Sequence, residues 1–266
     1  MKKVLPAFVT LFLVSSLSHA QIYVKAYSGY SVSANPEKRQ STAIVDGIKN
    51  VYQEKYKWGE GINAGFALGY RFNKSFSFEI TSGTQVLNKK KFHIPQKDVS
   101  ASNNWQLSGN FGETEYKSTI FQLSPQLAYT VDYKKDMLFY LKTGPEFLVA
   151  RNYYHRSYTG FSFDNFQLYP NQTELAVVRK GPFNIGLQSS AGVEYRLSKN
   201  LHFTGEFISV LCNYEFETIE TTKYSVDGID SPDDPVFLPQ KNTQAIKTDF
   251  SSWGFNIGIK YFFKKR

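Results

Sequence analysis

The stretch from Ile62 to Phe72 decides the fold, and it reads Ile-Asn-Ala-Gly-Phe-Ala-Leu-Gly-Tyr-Arg-Phe. Every second residue is apolar, and most residues between them are small or polar. Because a β-strand turns successive side chains to opposite faces, this alternation predicts a strand with one apolar and one polar face. The length also matches the roughly nine to eleven residues that a tilted strand needs to cross a bilayer.

The same period of two recurs along the chain, while helical periodicity is weak throughout. Together with the first segment, these regions predict eight strands. The predicted strands are Ile22–Tyr30, Ile62–Phe72, Phe76–Thr81, Phe121–Thr130, Met137–Leu148, Phe183–Arg196, Leu201–Leu211 and Trp253–Phe263.

Short and long connections alternate between these strands. Turns of hairpin length lie at Asn73–Ser75, at Asp132–Asp136 and at Ser198–Asn200, whereas the other four connections are long. An even-stranded meander therefore has all its short turns at one end and all its long loops at the other, as outer-membrane barrels do. The sequence predicts an all-β fold: an eight-stranded antiparallel up-and-down transmembrane β-barrel with long extracellular loops and short periplasmic turns.

Alternation alone does not say which face points outward, because a soluble lipocalin-like barrel alternates too, with its apolar face inside. Here the polar face collects glycines, such as Gly65, Gly69 and Gly258, together with charges of both signs. Glycine weakens a strand, so its enrichment favours a crowded, narrow interior over a solvent-exposed face. The apolar face then meets lipid. Its predicted aromatic girdle at the short-turn end is Tyr70, Phe72, Tyr129, Tyr195, Tyr261 and Phe263.

The first twenty residues have the layout of a secretory signal peptide. Lys2 and Lys3 precede the apolar run Val4–Val14, and Ser18-His19-Ala20 places small residues before Gln21. The run is too short to span a bilayer as a helix. We therefore predict a signal peptide over residues 1–20 and an outer-membrane β-barrel domain over residues 21–266.

The composition also limits the partners and the stabilising bonds that this protein can have. The net charge is +8, yet export and the lack of a basic stripe argue against a nucleic-acid partner, and outer-membrane lipid is the expected one. Cys212 is the single cysteine, so no intrachain disulfide can form, and we expect it to be a small buried apolar residue. Aromatic residues make up 17% of the chain, which suits strands and membrane interfaces.

In these patterns, the chain resembles the eight-stranded outer-membrane barrels of the OmpA transmembrane-domain, OmpX and OmpW kind. It is most similar to the outer-membrane β-barrel domain proteins of Bacteroidetes, including the PorT-like ones. The resemblance covers nearly all of residues 21–266, but its motifs are diffuse, so it implies fold and location and no particular activity. The motifs are Ile22–Tyr27, Ala64–Phe72, Ala191–Tyr195 and Gly258–Phe263.

Charges on the polar face are the first candidate site. They could line a gated conduit for small solutes, or they could pair with one another and fill the barrel. Eight strands leave an interior just wide enough for side chains, which favours a salt-bridged plug. The predicted structural network consists of Arg71, Glu79, Lys142, Glu146, Glu194, Arg196, Glu206 and Lys260.

Other candidate sites are weaker. The histidines show no spacing typical of a catalytic set, so we predict no enzyme and no cofactor. The acidic stretch Asp227–Pro235 could hold Ca²⁺, but it does not match the calcium-loop pattern and is better interpreted as a solvated loop. Lys89-Lys90-Lys91 is interpreted as a solvated patch or one facing lipid head groups.

The long loops carry strand-like patterns of their own, as in Val51–Trp58, so the barrel strands are expected to continue outward as a crown of hairpins. Aromatic residues in these loops would suit a partner protein or a surface glycan, or would pack together to hold the crown. These residues are Trp58, Trp105, Tyr153, Tyr154, Tyr158 and Phe161.

Three functions remain open from the sequence. The leading hypothesis is a monomeric, non-enzymatic barrel that has a structural or interaction role through its extracellular loops. The second is transport of a small or hydrophobic solute through or beside the barrel. The third is a role in an outer-membrane secretion or assembly complex.

Overall fold

The structure is a computed structural model that describes residues 21–45, 48–94, 111–164, 167–230 and 241–263, with only the backbone described in the outermost parts of several strands. The predicted signal peptide lies outside this part of the chain. Strands account for nearly all of the described residues, and none of these residues forms a helix long and apolar enough to cross a membrane.

The described residues form fifteen strands. They are β1 (Gln21–Ser33), β2 (Glu37–Val45), β3 (Ile48–Tyr56), β4 (Gly61–Arg71), β5 (Phe76–Leu87), β6 (Lys90–Ile94), β7 (Phe111–Lys134), β8 (Met137–Asp164), β9 (Gln167–Lys180), β10 (Asn184–Arg196), β11 (Leu201–Leu211), β12 (Asn213–Val226), β13 (Ile229–Asp230), β14 (Lys241–Asp249) and β15 (Ser252–Phe262).

Eight of these strands close into a ring in the order β8, β10, β11, β15, β1, β4, β5 and β7, and β7 pairs back with β8. All the pairings are antiparallel. The last strand closes the ring on the first, with Tyr23 opposite Phe262 and Ser33 opposite Ser252. The eight predicted strands correspond to these eight, which confirms the predicted barrel.

The polarity of the barrel is the reverse of that of a soluble protein. Outward-facing apolar side chains are widely exposed, with Phe66 73% and Ile185 65% accessible, whereas the inward-facing Glu146 and Glu194 are 0% and 1% accessible. The alternation predicted from the sequence therefore has its apolar face outside, where a membrane-spanning barrel meets lipid.

Exposed aromatic rings cluster at the two ends of the apolar band. At the short-turn end, Tyr129, Tyr195, Tyr261 and Phe263 are all more than 40% accessible. At the long-loop end Trp253 and Phe183 are exposed, and Phe183 stacks on Phe147 with 5.1 Å between ring centroids. Tyr and Trp favour the membrane interface, so the two clusters mark the edges of the lipid-facing band.

The short turns form because polar side chains bond to the turning backbone. The side-chain oxygen of Asn73 accepts hydrogen bonds from the backbone N–H groups of Ser75 and Phe76, each 2.8 Å long. The hydroxyl of Ser198 accepts one from the N–H of Leu201 at 3.1 Å. Such local bonds stabilise tight turns, and they hold the hairpins between β4 and β5 and between β10 and β11.

The barrel sheet extends outward beyond the ring at the long-loop end, as the sequence predicted. β7 and β8 are 24 and 28 residues long and continue past the ring. Beyond Leu148, β8 leaves β10 and pairs with β9, β9 pairs with β12, and β12 pairs with β14, while β6 lies along the other edge of β7. We call this extension of the barrel sheet the crown. Strands β2 and β3 form a separate hairpin.

Burial in lipid makes a direct prediction for the apolar face. Phe66→Arg places a charge near the middle of the lipid-facing band of β4, so it should lower the free energy of unfolding by about 2–4 kcal/mol. Tyr133→Arg is the matched control, because Tyr133 is also exposed but lies beside a short turn, where the cost falls to about 0–1 kcal/mol. Urea titration in lipid vesicles, followed by gel mobility without heating, measures both. Equal stabilities of the two variants would contradict this placement.

Candidate functional site

A square of four charges crosses the middle of the barrel. The ammonium nitrogen of Lys25 lies 3.1 Å from Glu79 and 3.0 Å from Glu206, and that of Lys142 lies 2.8 Å and 2.6 Å from the same two carboxylates. The strands that supply these residues, β1, β5, β8 and β11, lie two places apart around the ring. The square therefore spans the lumen in both directions, and its charges balance.

A second cluster fills the short-turn end around Glu194. Its carboxylate contacts Lys260 and Nδ1 of His202, and it lies 3.3 Å from a guanidinium nitrogen of Arg71. The Arg71 guanidinium also lies 4.5 Å from the ring centre of Phe262, and the Lys260 ammonium lies at the same distance from that of Tyr23. Aromatic faces attract cations, so the rings help to hold this end of the lumen.

Tyr23 joins the two clusters, because its hydroxyl donates a 2.9 Å hydrogen bond to the second carboxylate oxygen of Glu79. The ring of Tyr23 contacts the Glu194 cluster through Lys260, and its hydroxyl reaches the square above. The interior is thus one connected polar network from the short-turn end to the middle of the barrel.

Six of the eight residues predicted for the interior network take part in these contacts, and two do not. Arg196 is half-buried and donates to the backbone carbonyl of Lys135 at 3.2 Å, because it stands where β10 ends at a turn. Glu146 does point into the lumen, but neither of its carboxylate oxygens has a hydrogen-bond partner. The six are Arg71, Glu79, Lys142, Glu194, Glu206 and Lys260.

Sequence reasoning missed three members of the network: Lys25, Tyr23 and His202. All three stand at inward positions of strands that were predicted correctly, so the alternation did place them in the lumen. Lys25 in particular completes the square. What the sequence did not reveal is which inward residues on distant strands share a level, because that depends on the stagger of eight strands around a ring.

An apolar cap closes the long-loop end of the lumen. It is built from inward side chains of β5, β7, β8, β11 and β12 and from three residues outside the strands, which are Trp58 before β4, Cys212 between β11 and β12, and Phe250 before β15. The ring of Trp58 packs against Phe250 and Tyr116, with centroids 5.9 Å and 6.2 Å away. The buried members are Trp58, Leu87, Tyr116, Ile120, Leu148, Ala150, Val210, Cys212, Tyr214, Phe216 and Phe250.

Polar contacts at the rim hold Trp58 in the cap. Gly59 has a positive φ of 83°, and its carbonyl accepts a 2.7 Å hydrogen bond from the side-chain amide of Gln85. Glu60 pairs with Lys57 at 3.1 Å and accepts from Tyr30 at 3.2 Å. Burial by itself would raise the pKa of Glu60, but the hydrogen bond from Lys57 and the charge of Lys90 outweigh it, and the pKa lies below its ordinary value.

The loop aromatics therefore divide into different roles. The expectation that Trp58 offers an exposed binding surface is wrong, because its side chain is 6% accessible within the cap. Tyr153 is exposed on the outer face of the crown, and Tyr154 is half-buried against the cap. Trp105 and the side chains of Tyr158 and Phe161 lie outside the described residues. As expected, Cys212 is buried among apolar neighbours.

The other two candidate sites are the acidic stretch that begins at Asp227 and the three lysines at 89–91. In the part of the chain that is described, their side chains bond to neighbouring residues of the protein. Asp227 and Gly228, both at positive φ, form the tight turn between β12 and β13, and Asp227 accepts a 2.7 Å hydrogen bond from the backbone of Gln172. Residues 231–240 lie outside the described chain. Lys89 and Lys91 pair with glutamates of β7, and no cluster of three or more metal-ligating side chains occurs among the described residues.

No protein-family model matches this chain, and no curated protein matches it in sequence. Several solved outer-membrane proteins resemble it in structure. Neisserial surface protein A is 12% identical, with 92% of this chain and 99% of that one covered and a TM-score of 0.39. OprG from Pseudomonas aeruginosa is 11% identical (93% and 98% covered, TM-score 0.45), and the outer membrane protease OmpT from Escherichia coli is 10% identical (91% and 97% covered, TM-score 0.31). Similarity at this level does not extend to the chemistry of this chain.

The square makes a prediction about stability. Glu79→Gln removes one of two carboxylates that balance Lys25 and Lys142, so an uncompensated charge stays buried, and the free energy of unfolding should fall by about 3–5 kcal/mol. Arg196→Gln is the control, because Arg196 lies outside the network, and it should change stability by about 0.5 kcal/mol or less. Urea unfolding in vesicles measures both variants. A Glu79→Gln protein as stable as the wild type would contradict the ion pairing described here.

Proposed function

We propose that this protein is a non-enzymatic integral protein of a bacterial outer membrane that acts through its extracellular crown. The observation that carries the proposal is the contrast between its two halves. The lumen is filled by ion pairs and closed by the apolar cap, while β7, β8, β9 and β12 extend outward as a continuous sheet. A barrel that is closed along its axis has its accessible surface outside.

The placement in an outer membrane is supported by the exterior of the ring. The outward side chains form an apolar band with exposed aromatics at both edges, and all short turns lie at one end. This arrangement is typical of outer-membrane barrels. The signal peptide predicted over residues 1–20 would supply the export step.

The outer face of the crown is suited to contact with other molecules. Its strands are joined by cross-strand ion pairs, among them Lys223 with Glu174 at 2.6 Å, and the hydrogen bond from Lys223 lowers the pKa of Glu174. The exposed ring of Tyr153 lies 5.6 Å from the guanidinium of Arg151. Exposed Tyr and Arg side chains on a stiff sheet are the kind of residues that dominate binding surfaces.

A non-enzymatic role is supported by the use of the described histidines. His202 is buried at the short-turn end and bonds to Glu194, and His155 is exposed on the outer face of the crown, so these two do not share a site. The side chain of His93 lies outside the described residues. Both partners of the His202–Glu194 pair are buried, and Lys260 and Arg71 also contact the carboxylate, so a substrate has no access to this pair.

Membrane placement is tested by fractionation. The full chain, expressed in a Gram-negative host, should appear in the outer-membrane fraction with its first twenty residues removed. It should also migrate faster on a gel before boiling than after, as folded barrels do. A soluble periplasmic protein without heat-modifiable mobility would contradict the proposal.

The closed lumen predicts an absence of conduction. In planar bilayers the wild type should give no stable conductance steps, and neither should Trp58→Ala, because the Lys25–Glu79–Lys142–Glu206 square remains below the opened cap. Lys142→Glu removes a cation of the square and serves as the comparison. Stable steps in the wild type that change in size with Lys142→Glu would contradict the closed lumen and favour solute transport along the axis.

Membership in a secretion or assembly complex is a separate hypothesis with its own test. The protein extracted from native membranes in mild detergent should elute as a monomer, judged by light scattering with correction for detergent. Reproducible co-elution with other membrane proteins would favour the complex instead.

A further inference from the structure

The longest gap in the backbone pairing of the described ring lies between β7 and β8, an interface that also has a register shift between Asp132 and Lys134. Pairing runs through Leu123 opposite Phe147 and resumes at Leu127 opposite Thr143. Halfway between, the register sets Pro125 against Pro145. Because proline has no backbone N–H, neither residue can donate to the other, and the ladder breaks. We call residues 124–126 and 144–146 the seam.

The seam is peculiar to this interface. The other seven interfaces of the described ring are paired from residue to residue without a gap. The hydroxyl of Ser124 partly replaces the missing bonds, since it donates to the carbonyl of Pro145 at 2.8 Å. Fewer backbone hydrogen bonds therefore have to break to part β7 and β8 at the seam than over the same length of the continuously paired interfaces.

Glu146 lies on the inner side of the seam, next to Pro145 in the chain. Its side chain is fully buried, and neither carboxylate oxygen accepts a hydrogen bond. The other three lumen glutamates each pair with at least one lysine. Burying a carboxylate without a partner is costly, so this group can accept a hydrogen-bond donor or a cation.

The neighbours of Glu146 explain why it has no partner. The inward positions beside it on β8 are Gly144 and Leu148, and the residue opposite on β10 is Gly186, none of which has a side-chain donor. On β7 the recorded side-chain bonds run elsewhere: Gln126 donates to Ser124 at 3.2 Å, and Ser124 donates to Pro145. Among the described residues no donor bonds to either oxygen of Glu146, although the side-chain nitrogen of Asn184 on β10 is also buried without a partner.

A groove on the lipid side adjoins the lower end of the seam. It measures about 540 Å³ and is lined by apolar side chains, among them Leu127, Leu141 and Phe207. Thr143 and Ser189 also line it, and their hydroxyls lie 3.0 Å apart and share a hydrogen bond. A concave apolar volume of this size is in the range that holds small ligands.

We propose that the seam is a lateral binding site for a long-chain primary amine. The alkyl chain lies in the groove, and the ammonium head passes between β7 and β8 to pair with Glu146. An ammonium group fits because it is cationic and donates hydrogen bonds, which are the two properties that a buried carboxylate without a partner requires. The site is independent of the crown and of the closed axis of the lumen.

The site is tested with two dansyl-labelled probes of equal chain length, undecylamine and undecanoic acid, and the full chain in phosphatidylcholine nanodiscs. Empty nanodiscs give the background from partition into lipid. The wild type should bind the amine saturably and at least about tenfold more tightly than the acid, since a hydrogen bond to a charged group is worth that much. Equal binding of both probes, or no saturable binding of the amine, would overturn the proposal.

Two single variants test whether the carboxylate of Glu146 binds the amine. Glu146→Gln keeps the shape of the side chain and should weaken amine binding about tenfold or more. Glu174→Gln removes a carboxylate on the crown and should leave amine binding unchanged. Unchanged binding in Glu146→Gln, or equal losses in both variants, would show that Glu146 is not the site. Gel mobility before boiling verifies that each variant is folded.

The double variant Pro125→Val/Pro145→Val tests whether the amine enters between β7 and β8 at the seam. Valine restores the backbone donors, so the ladder can form across the seam while Glu146 stays in place. Association of the amine, followed by stopped-flow fluorescence, should slow by about tenfold relative to the wild type, because two restored backbone hydrogen bonds must open first. An association rate equal to that of the wild type would overturn lateral entry.

Discussion

Closure of the backbone hydrogen-bond ladder is the constraint on which the rest of this structure depends. A strand in lipid has no water to satisfy its N–H and C=O groups, so every edge must be paired, and eight strands achieve this only when the last pairs with the first. The pairing of β15 with β1 provides that closure. Once the ring is closed, alternate side chains must face lipid or a narrow lumen, and the polarity of each strand follows.

The lumen is narrow enough for side chains from opposite strands to meet, and this determines its chemistry. Lys25 and Lys142 approach from opposite sides of the ring, and Glu79 and Glu206 from the two sides between them. Each charge could be buried only because its counter-charges were within reach. Where the counter-charge is missing, at Glu146, the same physics turns a structural position into a candidate binding site.

Different kinds of residue close the two ends of the barrel. The strand interfaces of its wall also differ in their backbone pairing. The short-turn end closes with charge and aromatic rings, whereas the long-loop end closes with the apolar cap around Trp58 and Phe250. Seven interfaces of the described ring are continuously paired, and the eighth carries facing prolines. The parts of the molecule that we propose for interaction are therefore the crown above the cap and the seam in the wall.

The sequence by itself determined the strands, their alternation and the alternation of short turns with long loops, because period and turn chemistry are local properties of the chain. That was enough to predict the barrel, its inverted polarity and most of the interior charges. Only the tertiary structure decided which of those charges meet, that Trp58 is buried, that Glu146 has no partner and that Pro125 faces Pro145. These facts depend on the register and stagger between strands that are distant in sequence. The sequence of one strand does not show at what height along the barrel axis the residues of another strand lie.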